Sequence, residues 1–183
     1  MPSGYGDTGI AKPVEMFQVL AVGLRSEFPP QDAGSDARKP ATPGQQLHRT
    51  GEGLVKVVGA LSAHRLVTLT GVGGVGKTRL STEVAARLAD EFPDGVWVFE
   101  LAAVTDPGAV PDAVAAVLGI TQQPGKTVAE SVGSALEGRV RLLVFDNCEH
   151  VVDSVADLVE AILAASATVK VLATSREGIG VAD

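Results

Sequence analysis

Gly71-Val72-Gly73-Gly74-Val75-Gly76-Lys77-Thr78 follows the run Arg65-Leu66-Val67-Thr68-Leu69-Thr70 and leads into Arg79-Leu80-Ser81-Thr82-Glu83. The pattern is G-x-x-x-x-G-K-[ST] between a strand and a helix, the context in which it carries a mechanism. Glycines let the backbone wrap tightly around an anion and turn successive N–H groups inward. The helix that follows adds the positive end of its dipole. On this reading Gly71, Gly73, Gly74, Val75, Gly76 and Arg79 belong to a phosphate-binding segment. Lys77 supplies a point charge for β- and γ-phosphates, and Thr78 a hydroxyl for Mg²⁺. The plain alternative is a Gly-rich turn with no ligand. The strong flanking elements and a second motif downstream weigh against it.

That second motif is Arg139-Val140-Arg141-Leu142-Leu143-Val144-Phe145-Asp146, an apolar strand ending in a carboxylate. A buried parallel strand delivers one acidic side chain to the C-terminal edge of its sheet, where ligands of open α/β sheets sit. Asp146 is therefore expected to hold Mg²⁺ through water while Thr78 binds the metal directly. An Asp that merely caps a turn is the alternative. The next residue is Asn147, which cannot take a proton as a carboxylate does. Glu149 follows closely and is the substitute candidate for orienting an attacking water, or else a solvated acid at a helix start. Slow or absent hydrolysis is the expectation. A later strand ends Ala173-Thr174-Ser175-Arg176-Glu177. Thr174 or Ser175 is a candidate polar sensor, and Arg176 a candidate for stabilising γ-phosphate charge. No N/T-K-x-D signature for guanine follows the acidic strand, so adenine is the expected base.

Composition narrows the remaining classes. Net charge −7 over 183 residues argues against a broad nucleic-acid surface on this chain. Aromatics make up only 4%, so Val, Leu and Ala must build the core. Cys148 is the single cysteine, which rules out an intramolecular disulfide and suits a reducing cytosol. Each apolar run is interrupted by charges or glycines before membrane-spanning length. No basic-then-apolar leader opens the chain. A soluble cytoplasmic protein without membrane contact is the expectation.

Around the two motifs the pattern is regular. Helices are expected over Leu54–Ser62, Lys77–Glu91, Asp106–Leu118, Thr127–Leu136 and Val151–Ala164. Strands are expected over Leu66–Thr70, Val96–Leu101, Arg139–Asp146 and Val169–Thr174. Strands alternating with helices imply a three-layer α/β/α fold with a parallel sheet. Residues 29–53, rich in Pro and Gly with little periodicity, are expected to be a linker. Before them, Pro13-Val14-Glu15-Met16-Phe17-Gln18-Val19-Leu20 alternates as a strand does, and one strand is no fold by itself. Residues 1–28 are thus expected to end another domain, with 54–183 forming the nucleotide-binding domain, incomplete at its C-terminus.

The runs Arg65–Thr78, Leu143-Val144-Phe145-Asp146-Asn147-Cys148-Glu149-His150 and Leu172-Ala173-Thr174-Ser175-Arg176-Glu177 resemble the NB-ARC-type branch of the signal-transduction P-loop ATPases. The likeness is to large actinobacterial, especially mycobacterial, regulators. In these, helical repeats and a LuxR-type DNA-binding domain often follow the ATPase. Asn147 is usual in that subgroup. The resemblance implies ATP or ADP binding with Mg²⁺ and nucleotide-dependent switching, with protein partners or self-association. Gly4-Tyr5-Gly6-Asp7-Thr8-Gly9-Ile10 through Val19 is similar to the last strands of class III adenylate cyclase domains. The cyclase's metal and substrate residues lie earlier in that fold, so no cyclase activity is expected. The stretch His48-Arg49-Thr50-Gly51-Glu52-Gly53 matches the family's adenine-holding motif poorly. A non-catalytic interaction module and a truncated remnant of such a regulator are the competing readings.

Overall fold

The computed structural model describes Glu15–Gln18 and residues 43–179, with side chains from residue 51 onward. Five strands form one parallel sheet: β1 (Glu15–Gln18), β2 (Leu66–Thr70), β3 (Val96–Glu100), β4 (Leu142–Asp146) and β5 (Lys170–Ser175). Their order is β1-β2-β5-β4-β3. The register sets Thr70 beside Ser175 and Phe145 beside Ala173, so the C-terminal ends of β2, β5 and β4 lie along one edge.

Helices cover both faces, as the alternating pattern requires. On one face lie α1 (Pro43–Ala63) and α2 (Lys77–Leu88). Their Val57, Leu61, Leu80, Val84 and Leu88 pack on Val67, Leu69, Val144 and Leu172 of the sheet. On the other face lie α3 (Val110–Leu118), α4 (Val128–Ala135) and α5 (Val152–Ala165). Val114, Val132, Val155, Val159 and Ile162 there meet Leu143, Phe145, Val171 and Ala173. Adjacent strand positions thus point to opposite layers, and every residue of β4 is buried, which explains its unbroken apolar run. Phe99 and Phe145 stack at 5.0 Å between centroids and are the principal aromatic pair of a mostly aliphatic core.

The expected elements are present with shifted ends. Helix Lys77–Glu91 is α2 plus a 3₁₀ turn at Ala89–Glu91. The helix from Asp106 begins as a 3₁₀ turn, Pro107–Ala109, capped by the Asp106 side chain. Gly119 ends α3 at φ 68°, a left-handed cap that glycine adopts without strain. Thr127 and Glu130 form a reciprocal capping box that starts α4. Strand Arg139–Asp146 shortens to β4 because Asp94 Oδ2 takes the Val140 N–H, at 2.9 Å.

Two expectations require correction. The helix expected from Leu54 begins at Pro43, inside the stretch assigned to a linker. Proline is favoured in the first helical turn, where its missing N–H costs nothing. Gly53 lies within α1 on the side that faces Leu80 of α2, where a Cβ would make an ordinary contact at 3.6 Å. The strand assigned to a preceding domain is β1, hydrogen-bonded in parallel to β2 with Glu15 beside Val67 and Gln18 beside Thr70. The outer edge of β2 offers unpaired N–H and C=O groups, and an extended segment satisfies them. The rest of residues 1–28, and residues 29–42, lie outside the described residues. Among the described residues no helix is long and apolar enough to cross a membrane.

Candidate functional site

The segment between β2 and α2 has the backbone that its glycines predict. Gly71, Gly74 and Gly76 take φ of 153°, 78° and 93°. A side chain would strain each of these positions. Gly76 is also the N-cap of α2, with no side-chain cap bond. The first turn of α2 therefore begins at Lys77 with its N–H groups at the mouth of the loop. Val75 turns its side chain into the core, 3% exposed, so its contribution to any ligand is its backbone. Gly73, Gly74 and Arg79 are exposed. Lys77 folds back over the loop: Nζ donates to the carbonyls of Gly71 at 2.7 Å and Val72 at 3.1 Å.

Strands β4 and β5 bring the second half of the site to this loop. Thr78 Oγ1 lies 3.0 and 2.9 Å from the two carboxylate oxygens of Asp146 and donates to them. Thr174 Oγ1, on β5 between them, donates to Asp146 Oδ1 at 2.6 Å and accepts the Asn147 N–H at 3.0 Å. The single hydroxyl proton of Thr174 is thus spent on Asp146. Thr174 was a candidate phosphate sensor by sequence; here it is 1% exposed and acts as a strut under the carboxylate.

Asn147 has φ 63° and ψ 51° and is the non-glycine residue with positive φ among the described residues. Asparagine is among the few side chains that enter this region readily. The turn it makes runs on as a 3₁₀ turn, Cys148–His150, and brings Glu149 back beside Arg176. Glu149 Oε1 and Arg176 Nε are 3.1 Å apart. The Asn147 amide lies against the same carboxylate, and only with its nitrogen turned toward Glu149 are both satisfied, at 2.8 and 3.1 Å from the two oxygens. His150 Nε2 donates to the Val104 carbonyl at 2.8 Å, a structural tie. The Cys148 thiol is fully buried, and burial, with the Asp146 charge second, pushes its pKa up to about 12. Burial thus disfavours the thiolate, the reactive form of the side chain.

The residues singled out in the sequence thus meet at one edge: Lys77 and Thr78 at the start of α2, Asp146 at the end of β4, Glu149 after it, and Arg176 after β5. The sequence did not reveal that Asn147 is held by Thr174 and in turn holds Glu149. Its one signal was the residue type, since Asn after a buried strand is a natural left-handed turn. The donor set suits Mg²⁺: a hydroxyl and a carboxylate in mutual contact are hard oxygen ligands, with the remaining positions left for phosphate and water.

A parallel α/β sheet with a glycine loop, a helix-opening Lys-Thr pair and a facing strand-end Asp defines a P-loop NTPase-type domain. The sequence matches the NB-ARC domain family over residues 51–183, and the chain belongs to that family. It is also similar to a Mycobacterium bovis protein named "Putative HTH-type transcriptional regulator", with 44% identity over 122 residues. That alignment covers 67% of this chain and 14% of the relative. A Mycobacterium tuberculosis protein of the same description shows the same identity and coverage. A second M. bovis protein, described as uncharacterized, is 39% identical over 122 residues, covering 67% of this chain and 31% of that protein. The chain spans less than a third of the length of the curated relatives it matches.

Proposed function

We propose that this chain is the ATP- and ADP-binding part of a transcriptional regulator, a switch set by its nucleotide and slow or inert in hydrolysis. The observation that carries this reading is the facing of Thr78 and Asp146 across the mouth of the glycine loop. Lys77 would leave the carbonyls of Gly71 and Val72 for the β- and γ-phosphates. The loop N–H groups and the α2 N-terminus would take the phosphate oxygens. Thr78 and, through water, Asp146 would hold Mg²⁺, which when bound neutralises phosphate charge. Arg176 would meet the γ-phosphate.

Slow turnover follows from the acids present. Asn147 occupies the place directly after Asp146 and cannot act as a base. Glu149, the substitute, is engaged by both Asn147 and Arg176. Residues 1–28 are read as cyclase-like in sequence and without cyclase activity, with Glu15–Gln18 serving as the edge strand of this sheet. Nucleic-acid contact is assigned to other parts of the full regulator, since this chain is acidic overall.

Titration calorimetry with ADP, ATP and GTP, each with and without Mg²⁺, tests the reading. The expected result is binding of both adenine nucleotides at one site, tighter with Mg²⁺, and little ATP consumed over the experiment. Absence of binding to all three would refute it. Turnover of several ATP per second would reject the slow-switch part alone.

A further inference from the structure

Arg176 stands between two anion positions. Its Nε is 3.1 Å from Glu149, while Nη2 lies 3.8 Å from where a Cβ on Gly73 would be. One guanidinium therefore spans from the carboxylate to the rim of the phosphate loop. Its side chain is 65% exposed, whereas that of Glu149 is 22% exposed. Glu149 is further pinned by the Asn147 amide, and Asn147 by its N–H on Thr174. The carboxylate is the more enclosed and more bonded partner, and the arginine the more exposed one.

We propose that Glu149 and the terminal phosphate of a nucleoside triphosphate compete for Arg176, so that Glu149 sets how strongly the site prefers triphosphate to diphosphate. The inference rests on the nucleotide reading above. A diphosphate has no group at the γ-position and leaves the Glu149–Arg176 pair intact. A triphosphate recruits Arg176 only by breaking that pair, and the strength of the pair is subtracted from its affinity. Partly exposed ion pairs of this kind correspond to a factor of about two to five in an equilibrium constant.

Removing a negative charge beside the site would also help any anion bind, by field alone. The exchange differs from that general effect because it acts through Arg176. The test is therefore a cycle: dissociation constants of ATP and ADP with Mg²⁺ for the parent chain, Glu149→Gln, Arg176→Ala and the double variant. Thermal melting without nucleotide verifies that each is folded. Glu149→Gln should raise the ATP-over-ADP preference about two- to five-fold. In the Arg176→Ala background the same change should leave that preference unaltered. Glu149→Ala is the second variant, with the same direction expected. An unchanged preference in a parent that binds both nucleotides would overturn the exchange. So would an equal rise with and without Arg176, which would assign the effect to the field. Failure of the parent to bind either nucleotide would instead bring down the underlying reading, and the exchange with it.

Discussion

The two edges of the sheet carry the same chemistry to different ends. At the N-terminal edge, Lys170 donates to the carbonyls of Leu61 and Ser62 at the end of α1. Arg65 likewise donates to the carbonyls of Leu163 and Ser166 at the end of α5. At the C-terminal edge, Lys77 also donates to two carbonyls, those of Gly71 and Val72. The difference lies in what the carbonyls belong to. Helix ends present orphan carbonyls and the negative end of the dipole, so a cation there completes the fold. The loop carbonyls belong to the glycine segment, and on the proposed reading the cation above them would leave them for a phosphate. A buried or bonded lysine is thus no signal in itself; the strand end at which it sits is.

Breaking each lysine separates the two roles. Lys77→Ala should weaken ATP and ADP binding roughly 100-fold, through loss of charge-assisted bonds to two phosphates. Its melting temperature without nucleotide should stay close to that of the parent, because the bonds lost lie within one loop. A thermal-shift titration checks both halves, since ligand-linked stabilisation would vanish while the unliganded transition remained.

Thr174→Val tests the strut that joins the two halves of the C-terminal edge. The change leaves the Asn147 N–H without its acceptor and Asp146 without one donor, a cost of about 1–3 kcal/mol in denaturant melts. It should also reduce the gain in nucleotide affinity from Mg²⁺, with Thr174→Ser restoring that gain. A Mg²⁺ effect equal to the parent's would reduce Thr174 to a packing residue. At the other edge, Lys170→Met should cost about 1 kcal/mol of stability and leave nucleotide affinity within two-fold of the parent.

The smallest effect is electrostatic. The Asp94 carboxyl is held below its usual range, first by the Val140 N–H and then by Arg139. Glu130 is lowered by its cap bonds with Thr127. A carboxylate whose folded-state pKa is depressed stabilises the protein above the ordinary carboxylate range. That contribution is lost as pH falls through the folded value. Melting temperature should therefore decline below about pH 4, and Asp94→Asn should make the decline slightly shallower. A slope identical to the parent's would remove Asp94 from the acid response.

What the sequence made legible was what is local. The loop motif and the unbroken apolar run of β4 each lie within a few residues, and each element appears where its pattern lies. The reading failed where glycine and proline carry two meanings. Pro43 and Gly53 read as linker, yet Pro43 opens α1 and Gly53 continues it. It was partial where partners come from different strands. That Thr174 bonds Asp146, or that Asn147 turns Glu149 toward Arg176, depends on β5 lying between β2 and β4, and no spacing encodes that order.

Hydrogen–deuterium exchange with and without Mg²⁺–ADP tests the central claim most directly, because it shows where a ligand sits. The account predicts slowed exchange in three separated segments together: residues 71–79, 146–149 and 174–176. It predicts no change on the outer faces of α4 and α5, where a separate cleft is lined by Lys126, Glu130, Asp157 and Glu160. Protection confined to that cleft, or no protection of the loop at saturating nucleotide, would contradict it.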